Sequence, residues 1–288
     1  MLQDLLFGRL ENEFYVEVPE DGDLVVCIRG GGILLRRDGD DTLHFPVAAR
    51  VKAWAADPGW EAWNGEALRY VFRMQGQRYF LWMGNAGECP DAAFGYENAR
   101  TLRQMISKEQ CYAAMTAWHL YNWYRCNRFC GNCGAKTVHD DRERMVRCPD
   151  CGNLIFPRIS PAVIVGVTDG DRLLLSKYAG RNYTRYALLA GYTEIGETME
   201  QTVQREVMEE VGLRVKNIRY YKSQPWGIDG NVLMGFYCDL EGSDEIHIDE
   251  QELSMAQWFR RGEIPARDDG ISLTREMIRV FQEGREPK

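Results

Sequence analysis

Between Gly191 and Leu213 the chain sets carboxylates around a single arginine. Glu197 comes first, Arg205 and Glu206 follow, and Glu209 and Glu210 close the run. Residues three and four apart share a face of a helix, so Glu206, Glu209 and Glu210 are expected to project to one side, one turn apart. Three carboxylates crowded there repel one another unless a cation joins them, and an oxygen-only cluster suits Mg²⁺ or Mn²⁺. The chemistry on offer is metal-assisted attack of water on a charged bond. The cation offsets charge repulsion, and a carboxylate, Glu210 in this reading, orients and deprotonates the water. Arg205 is expected to act indirectly, its salt link to Glu197 holding the preceding loop against the helix.

The elements that must position these groups lie around them. Met199, Val203, Val207 and Val211 recur at four-residue spacing, a stripe that can pack on a sheet. Thr198 is placed to cap the helix start, and Gly212 to end it in the left-handed conformation. Upstream, Ala162–Val167 reads as a buried strand, paired across Asp169-Gly170-Asp171 with Arg172–Ser176. Tyr186–Ala190 leads into Gly191. Strands are expected over 214–221, 232–238 and 256–259, and a last helix over 273–283. This mixture of strands with two helices predicts an α+β domain, a sheet sandwiched between helices.

A second constellation precedes it. Cys130 and Cys133, then Cys148 and Cys151, form two CxxC knuckles, each followed by glycine. Four thiolates at this spacing make a tetrahedral Zn²⁺ site with no open position, so the zinc is structural. Cys126 is spare, and His139 is too far from a knuckle to be needed. The segment from Arg125 to Arg158 carries seven basic and four acidic residues, +3 in a chain whose net charge is −8. That local charge fits a phosphate-rich substrate and ordinary surface equally well.

The 288 residues suffice for two domains, and 45% hydrophobic with 27% charged content is ordinary for a globular protein. The acidic balance argues against broad nucleic-acid binding but not against recognition of one nucleotide end. No apolar run approaches bilayer length and the first residues do not read as a signal peptide, so a cytoplasmic protein without membrane association is expected. Cys27, Cys89, Cys111 and Cys238 read as buried free thiols rather than a disulfide framework. Phe14–Val18, Asp23–Ile28, Gly32–Leu35, Leu68–Phe72 and Gln77–Met83 read as strands of a β-rich first domain. Ala93–Tyr124 reads as helical, with Trp118, Tyr121, Trp123 and Tyr124 in core or interface. The expected domains are 1–125, 126–156 and 157–288.

The Gly191–Leu213 spacing meets every fixed position of the signature of the Nudix hydrolases. With an N-terminal domain and a four-cysteine ribbon before it, and Ser223-Gln224-Pro225-Trp226 after it, the chain resembles the NAD(H) pyrophosphatases of that superfamily. The resemblance is clear over the last two-thirds of the chain and only positional over the first ninety residues. It implies a Nudix α/β/α sandwich and hydrolysis of NAD(H) to nicotinamide mononucleotide and AMP. Some members also remove NAD caps from RNA 5′ ends. It implies a homodimer, and metal held by Ala190 (through its carbonyl), Glu206, Glu209, Glu210 and Glu252. Substrate contacts implied are Glu143, Phe156, Tyr192, Gln224, Pro225, Trp226 and Asn231, with Arg103 aligned to an arginine that reaches substrate. Phe156 and Tyr192 match the family's stacking aromatics. One departure stands out: NADH-preferring members continue the Ser-Gln-Pro-Trp motif with Pro-Phe-Pro, a residue and Ser, whereas here the chain reads Gly227-Ile-Asp-Gly-Asn231. Two other readings stay open at this point: a Nudix hydrolase for ADP-ribose or dinucleoside polyphosphates, and a zinc-ribbon nucleic-acid binder with an inactive Nudix fold.

Overall fold

The structure is a computed structural model that describes residues 1–5, 8–38, 43–56, 59–63, 65–102, 107–180, 185–265 and 269–288. The chain forms two compact units. Arg103 and the expected helical positions Met105 and Ile106 lie outside the described residues.

One unit comprises Asp4–Arg158 with Gly227–Gly230. Its elements are β1 (Leu10–Glu11), β2 (Leu24–Val26), β3 (Ile28–Arg29), β4 (Gly32–Arg37), β5 (Leu43–His44), α1 (Ala48–Trp54), β6 (Leu68–Met74), β7 (Gln77–Trp82), β8 (Phe94–Asn98), α2 (Lys108–Cys126), β9 (Val138–His139), β10 (Val146–Arg147) and β11 (Leu154–Ile155). One sheet runs β1-β6-β7-β2, a second runs β3-β4-β5 with β8 also on β4, and β11-β10-β9 is a third. Helix α2 starts at a capping box, in which Gln110 N donates to Ser107 Oγ and Ser107 N to Gln110 Oε1. Its Ala113, Ala117, Trp123 and Tyr124 join Val26, Leu35, Phe72 and Leu81 in one core.

Two expectations fail in this unit. Among the described residues, Phe14–Val18 pairs with no strand, and Tyr15, Val16 and Val18 are exposed. Alternating β-formers make a strand only where a neighbour takes their backbone groups. The start of the expected helix is instead β8, whose Phe94–Asn98 pairs antiparallel with Gly32–Arg36. Non-local ladder bonding overrides a helical spacing drawn mainly from later residues.

The other unit comprises Met1–Gln3, Ile159–Trp226 and Asn231–Lys288. It contains β12 (Ser160–Asp169), β13 (Arg172–Tyr178), β14 (Leu189–Tyr192), α3 (Met199–Val211), β15 (Arg214–Trp226), β16 (Asn231–Glu241), β17 (Leu253–Arg260) and α4 (Leu273–Gln282). The six-stranded sheet runs β15-β16-β12-β13-β17, with β14 also on β12. The β12–β16 pair is parallel and the rest are antiparallel. Side chains alternate across the pleat. Val163, Val165 and Val167 of β12 meet Val203, Val207 and Val211 of α3, while Ile164 joins Leu273, Met277 and Phe281 of α4 on the opposite face. This is the α/β/α sandwich with a mixed sheet that the sequence predicts. Gly166 lies under a buried ring, since a Cβ there would stand 2.9 Å from Tyr237 Cδ1. The first residues return to this unit: Met1 belongs to the α4-side core, and Leu2 N donates to Ile271 O.

Helix α3 is closed at both ends. Thr198 Oγ1 accepts from Gln201 N and Gln201 Oε1 from Thr198 N, and Gly212 ends the helix at φ 70°. Replacing Thr198 with Ala removes the side-chain cap and is expected to cost ~1 kcal/mol. Urea unfolding checks this: the midpoint falls with an unchanged slope.

Candidate active site

The structure sorts the three helical glutamates by burial. Glu206 and Glu210 are 7% and 2% exposed, and both belong to the buried positions of α3. Glu209, one position out of that face, is exposed, with its side chain 59% accessible. The shared side has a buried and an exposed part: Glu206 and Glu210, four apart, lie on the buried part, and Glu209 lies at the exposed edge, accepting from the same Arg205 Nη1 as Glu206.

Arg205 joins them. Its Nε donates to Glu197 Oε1 at 2.6 Å and its Nη2 to Glu197 Oε2 at 2.9 Å. Nη1 donates to Glu206 Oε1 at 2.8 Å and Glu209 Oε2 at 2.9 Å, and Nη2 also to the Tyr192 carbonyl at 2.8 Å. Glu197 further accepts from Glu194 N and Thr202 Oγ1. These donors, Arg205 foremost, hold the Glu197 carboxyl down at about 2. Burial pushes the Glu206 carboxyl above its usual range. Arg205 works against this, and Glu209 and Glu252 push it further up.

Strand β14 supplies the floor. Leu189–Tyr192 pairs with Val165–Ala162 of β12, which fixes Ala190 and Gly191 beside α3. A Cβ on Gly191 would lie 1.9 Å from Glu206 Cδ and Oε1, so the carboxylate occupies the place of any larger side chain. Glu252 is exposed, just before β17, and its carbonyl accepts from Ala179 N. Three carboxylates (Glu197, Glu206 and Glu209) share one guanidinium, Glu252 adds its charge to Glu206 and Glu210 lies one turn on from Glu206, and the surplus negative charge fits a hard divalent cation bound through oxygen. Among the described residues, the only three or more acidic, His or Cys ligand atoms lying within 4.8 Å of one another are those of the four cysteines. Arg205 draws Glu206 and Glu209 to itself, which accounts for the looser carboxylate group.

Those cysteines form a closed centre. Cys130 Sγ lies 3.6 Å from Cys151 Sγ, and Cys133 Sγ lies 3.4 Å from Cys148 Sγ. Four thiolates around Zn²⁺ at ~2.3 Å stand ~3.8 Å apart, so the set fits zinc. The two knuckles repeat one geometry. Gly134 N donates to Cys130 O and Gly152 N to Cys148 O, with both glycines at positive φ. Asn132 N–H lowers the Cys130 thiol to about 6, and the Asn132 amide lowers that of Cys151. His139 stays out of the centre: it packs on Trp63 and Tyr124, and burial holds it down at about 3, neutral. Two of the seven basic residues of the segment serve the interior. Arg144 donates to the Asn12 and Val71 carbonyls, and Arg128 lies over Trp63.

The remaining expected substrate residues separate. Glu143 is exposed and lines an open cleft with Arg142, Met145 and Arg147. Phe156, just past β11, and Tyr192, at the end of β14, are both exposed. Pro225 is exposed and Trp226 half-buried at the end of β15, where Trp226 pairs with Asn231. Gln224 is corrected. It is fully buried, its Nε2 donates to the Ile271 carbonyl, and its Oε1 accepts from Leu273 N at the start of α4. Its amide is occupied by the fold and not presented to a ligand. The departing turn has a packing reason. Gly227–Gly230 counts with the Asp4–Arg158 unit, where a Cβ on Gly227 would stand 2.2 Å from the Met115 carbonyl. Ile228 packs on that unit's core and Asp229 pairs with Arg100 at 2.9 Å. No proline fits at 227 in this arrangement.

Comparison with known proteins follows the same division. Residues 158–281 match the NUDIX domain, and residues 125–156 match the NADH pyrophosphatase zinc ribbon domain. The "NAD-capped RNA hydrolase NudC" of Pectobacterium atrosepticum is 34% identical over 249 residues, 83% of this chain and 92% of that protein. The chain belongs to the zinc-ribbon Nudix hydrolases. Proteins of the same name from Pseudomonas aeruginosa and Photobacterium profundum are 42% and 40% identical over 55% and 62% of this chain, and 57% and 67% of their own lengths. In this Nudix hydrolase the sequence did not reveal why Gly191 is glycine or that Gln224 is structural. Both follow from contacts made by residues distant in the chain.

Two outcomes follow from the hydrolase cluster. Gly191→Ala expels the Glu206 carboxylate, so hydrolytic activity is expected to fall on the order of a hundredfold while the far-ultraviolet dichroism stays unchanged. The second concerns acid. Glu197 is held below its ordinary 4.5, so its link to Arg205 contributes stability above about pH 4.5 and loses it as pH falls through about 2. Thermal midpoints measured between those values should drop more for the wild type than for Glu197→Gln, and equal drops would remove the link as the cause.

Proposed function

We propose that this Nudix hydrolase cleaves the diphosphate of NAD(H) to nicotinamide mononucleotide and AMP, and cleaves the same bond in NAD-capped RNA, releasing nicotinamide mononucleotide and leaving a 5′-monophosphate on the RNA. One observation carries the reading. A relative named for hydrolysis of NAD-capped RNA aligns with 83% of the chain and 92% of its own length, so the match runs beyond the hydrolase domain alone. The intact glutamate set of α3 supports catalysis and disfavours an inactive fold.

Glu206, Glu209, Glu210, Glu252 and the Ala190 carbonyl would hold Mg²⁺ or Mn²⁺. A cation held there would supply charge neutralisation at the diphosphate and a lower pKa for water. Glu210 accepts the proton of the attacking water as the new phosphorus–oxygen bond forms. The bond from that phosphorus to the bridging oxygen breaks, and the two mononucleotides separate. Glu210 lies buried on the inner face of α3, beside Glu206. Arg205 and Glu197 keep the loop and helix in register and touch no reacting atom. Tyr192, Trp226, Pro225 and Asn231 shape one end of the substrate site, and Glu143, Phe156 and Arg103 are further proposed substrate contacts from the segments that precede the hydrolase domain. The Cys130, Cys133, Cys148 and Cys151 zinc is structural. The domains are taken as 1–125, 126–156 and 157–288. By resemblance the reading extends to a cytoplasmic homodimer; among the described residues, no helix is long and apolar enough to cross a membrane.

The full chain, assayed with NADH and Mg²⁺ or Mn²⁺, should release AMP and reduced nicotinamide mononucleotide in equal amounts. Glu210→Gln should lower kcat by roughly 10²–10⁴. Absence of AMP from NADH at any metal concentration, with ADP-ribose cleaved instead, would sink the substrate assignment.

A further inference from the structure

Strand pairing brings two polar side chains together at one rim of the six-stranded sheet. Tyr192 ends β14 opposite Ala162 of β12, and Asn231 opens β16 opposite Ser160 of the same strand. β14 and β16 flank β12 on opposite sides, so about 10 Å separates their backbones. The Tyr192 side chain spans that width, and its hydroxyl donates to Asn231 Oδ1 at 3.1 Å. Asn231 is 7% exposed and Tyr192 51%. A buried acceptor therefore holds the tip of an open ring.

The same residue is fixed at its backbone. The Tyr192 carbonyl accepts from Arg205 Nη2 at 2.8 Å. Strand alternation sets Gly191 beneath Glu206 on the α3 face and turns Tyr192 to the other. The ring thus lies one residue along the strand from the carboxylates. That separation suits a ligand with a planar base attached to a diphosphate through a sugar.

We infer that Asn231 is a positioning residue that locks Tyr192 as a flat stacking platform for one base of the dinucleotide. The inference rests on the proposed function. A ring already held in place loses less rotational freedom when a base stacks on it, so the lock strengthens binding. It acts alike on bound substrate and transition state, so it changes KM and leaves kcat largely alone.

The test uses the full chain and steady-state hydrolysis of NADH by Tyr192→Phe, Asn231→Leu and their double variant. Each single variant should raise KM about fivefold, the ratio expected for one lost hydrogen bond, with kcat within about twofold. The double variant should match either single one, because both remove the same bond. Unchanged KM in the single variants, additive effects in the double, or a joint fall of kcat and Tm would each overturn the assignment. A wild-type enzyme that does not cleave NADH defeats the functional reading instead. The same three variants are then measured on the dinucleoside diphosphate it does cleave.

Discussion

Arginine has five N–H groups, and Arg205 places all of them: two on Glu197, one each on Glu206, Glu209 and the Tyr192 carbonyl. The rest of the hydrolase site depends on this fan. It ties the loop before α3, the helix itself and the end of β14 to one planar group. It also makes a buried carboxylate tolerable at Glu206, where burial and two neighbouring acids oppose ionisation. A lysine could supply charge at that point but not the fixed fork that serves three segments at once.

What the sequence made readable was what depends on near neighbours. The apolar stripe Met199, Val203, Val207 and Val211, the cap at Thr198 and the stop at Gly212 are all settled within one or two helical turns, and each appears in the structure. The two cysteine knuckles are equally local, each a four-residue turn closed by its own glycine. Features settled by distant chain were not readable. Gly191 has no need of unusual backbone torsions, and only the arrival of Glu206 over it explains its identity. Gln224 sits in a motif that resembles a ligand-binding one, yet its amide closes the start of α4, some fifty residues later. Phe14–Val18 alternates like a strand but, among the described residues, has no partner strand.

The ribbon shows how little apolar material a metal can organise. Its three strands are two residues each, and Val146 is its one fully buried aliphatic residue among those described. Such a segment cannot meet its ordering entropy by burial alone. Thiolates brought together by turns of identical geometry supply the missing constraint, with N–H groups from Asn132 and Asn153 directed at sulfur.

The return of Met1–Gln3 to the hydrolase unit has a temporal side. Leu2 bonds to Ile271, Gln3 to Ser223, and Met1 shares a core with Leu273, Met277 and Phe281. On the ribosome the chain is made from the amino end. Residues 1–3 are therefore made long before Ser223, Ile271 and α4, and they stay unmatched until those segments emerge. Completion of the catalytic sandwich thus waits on a pairing in which chain made late captures chain made early.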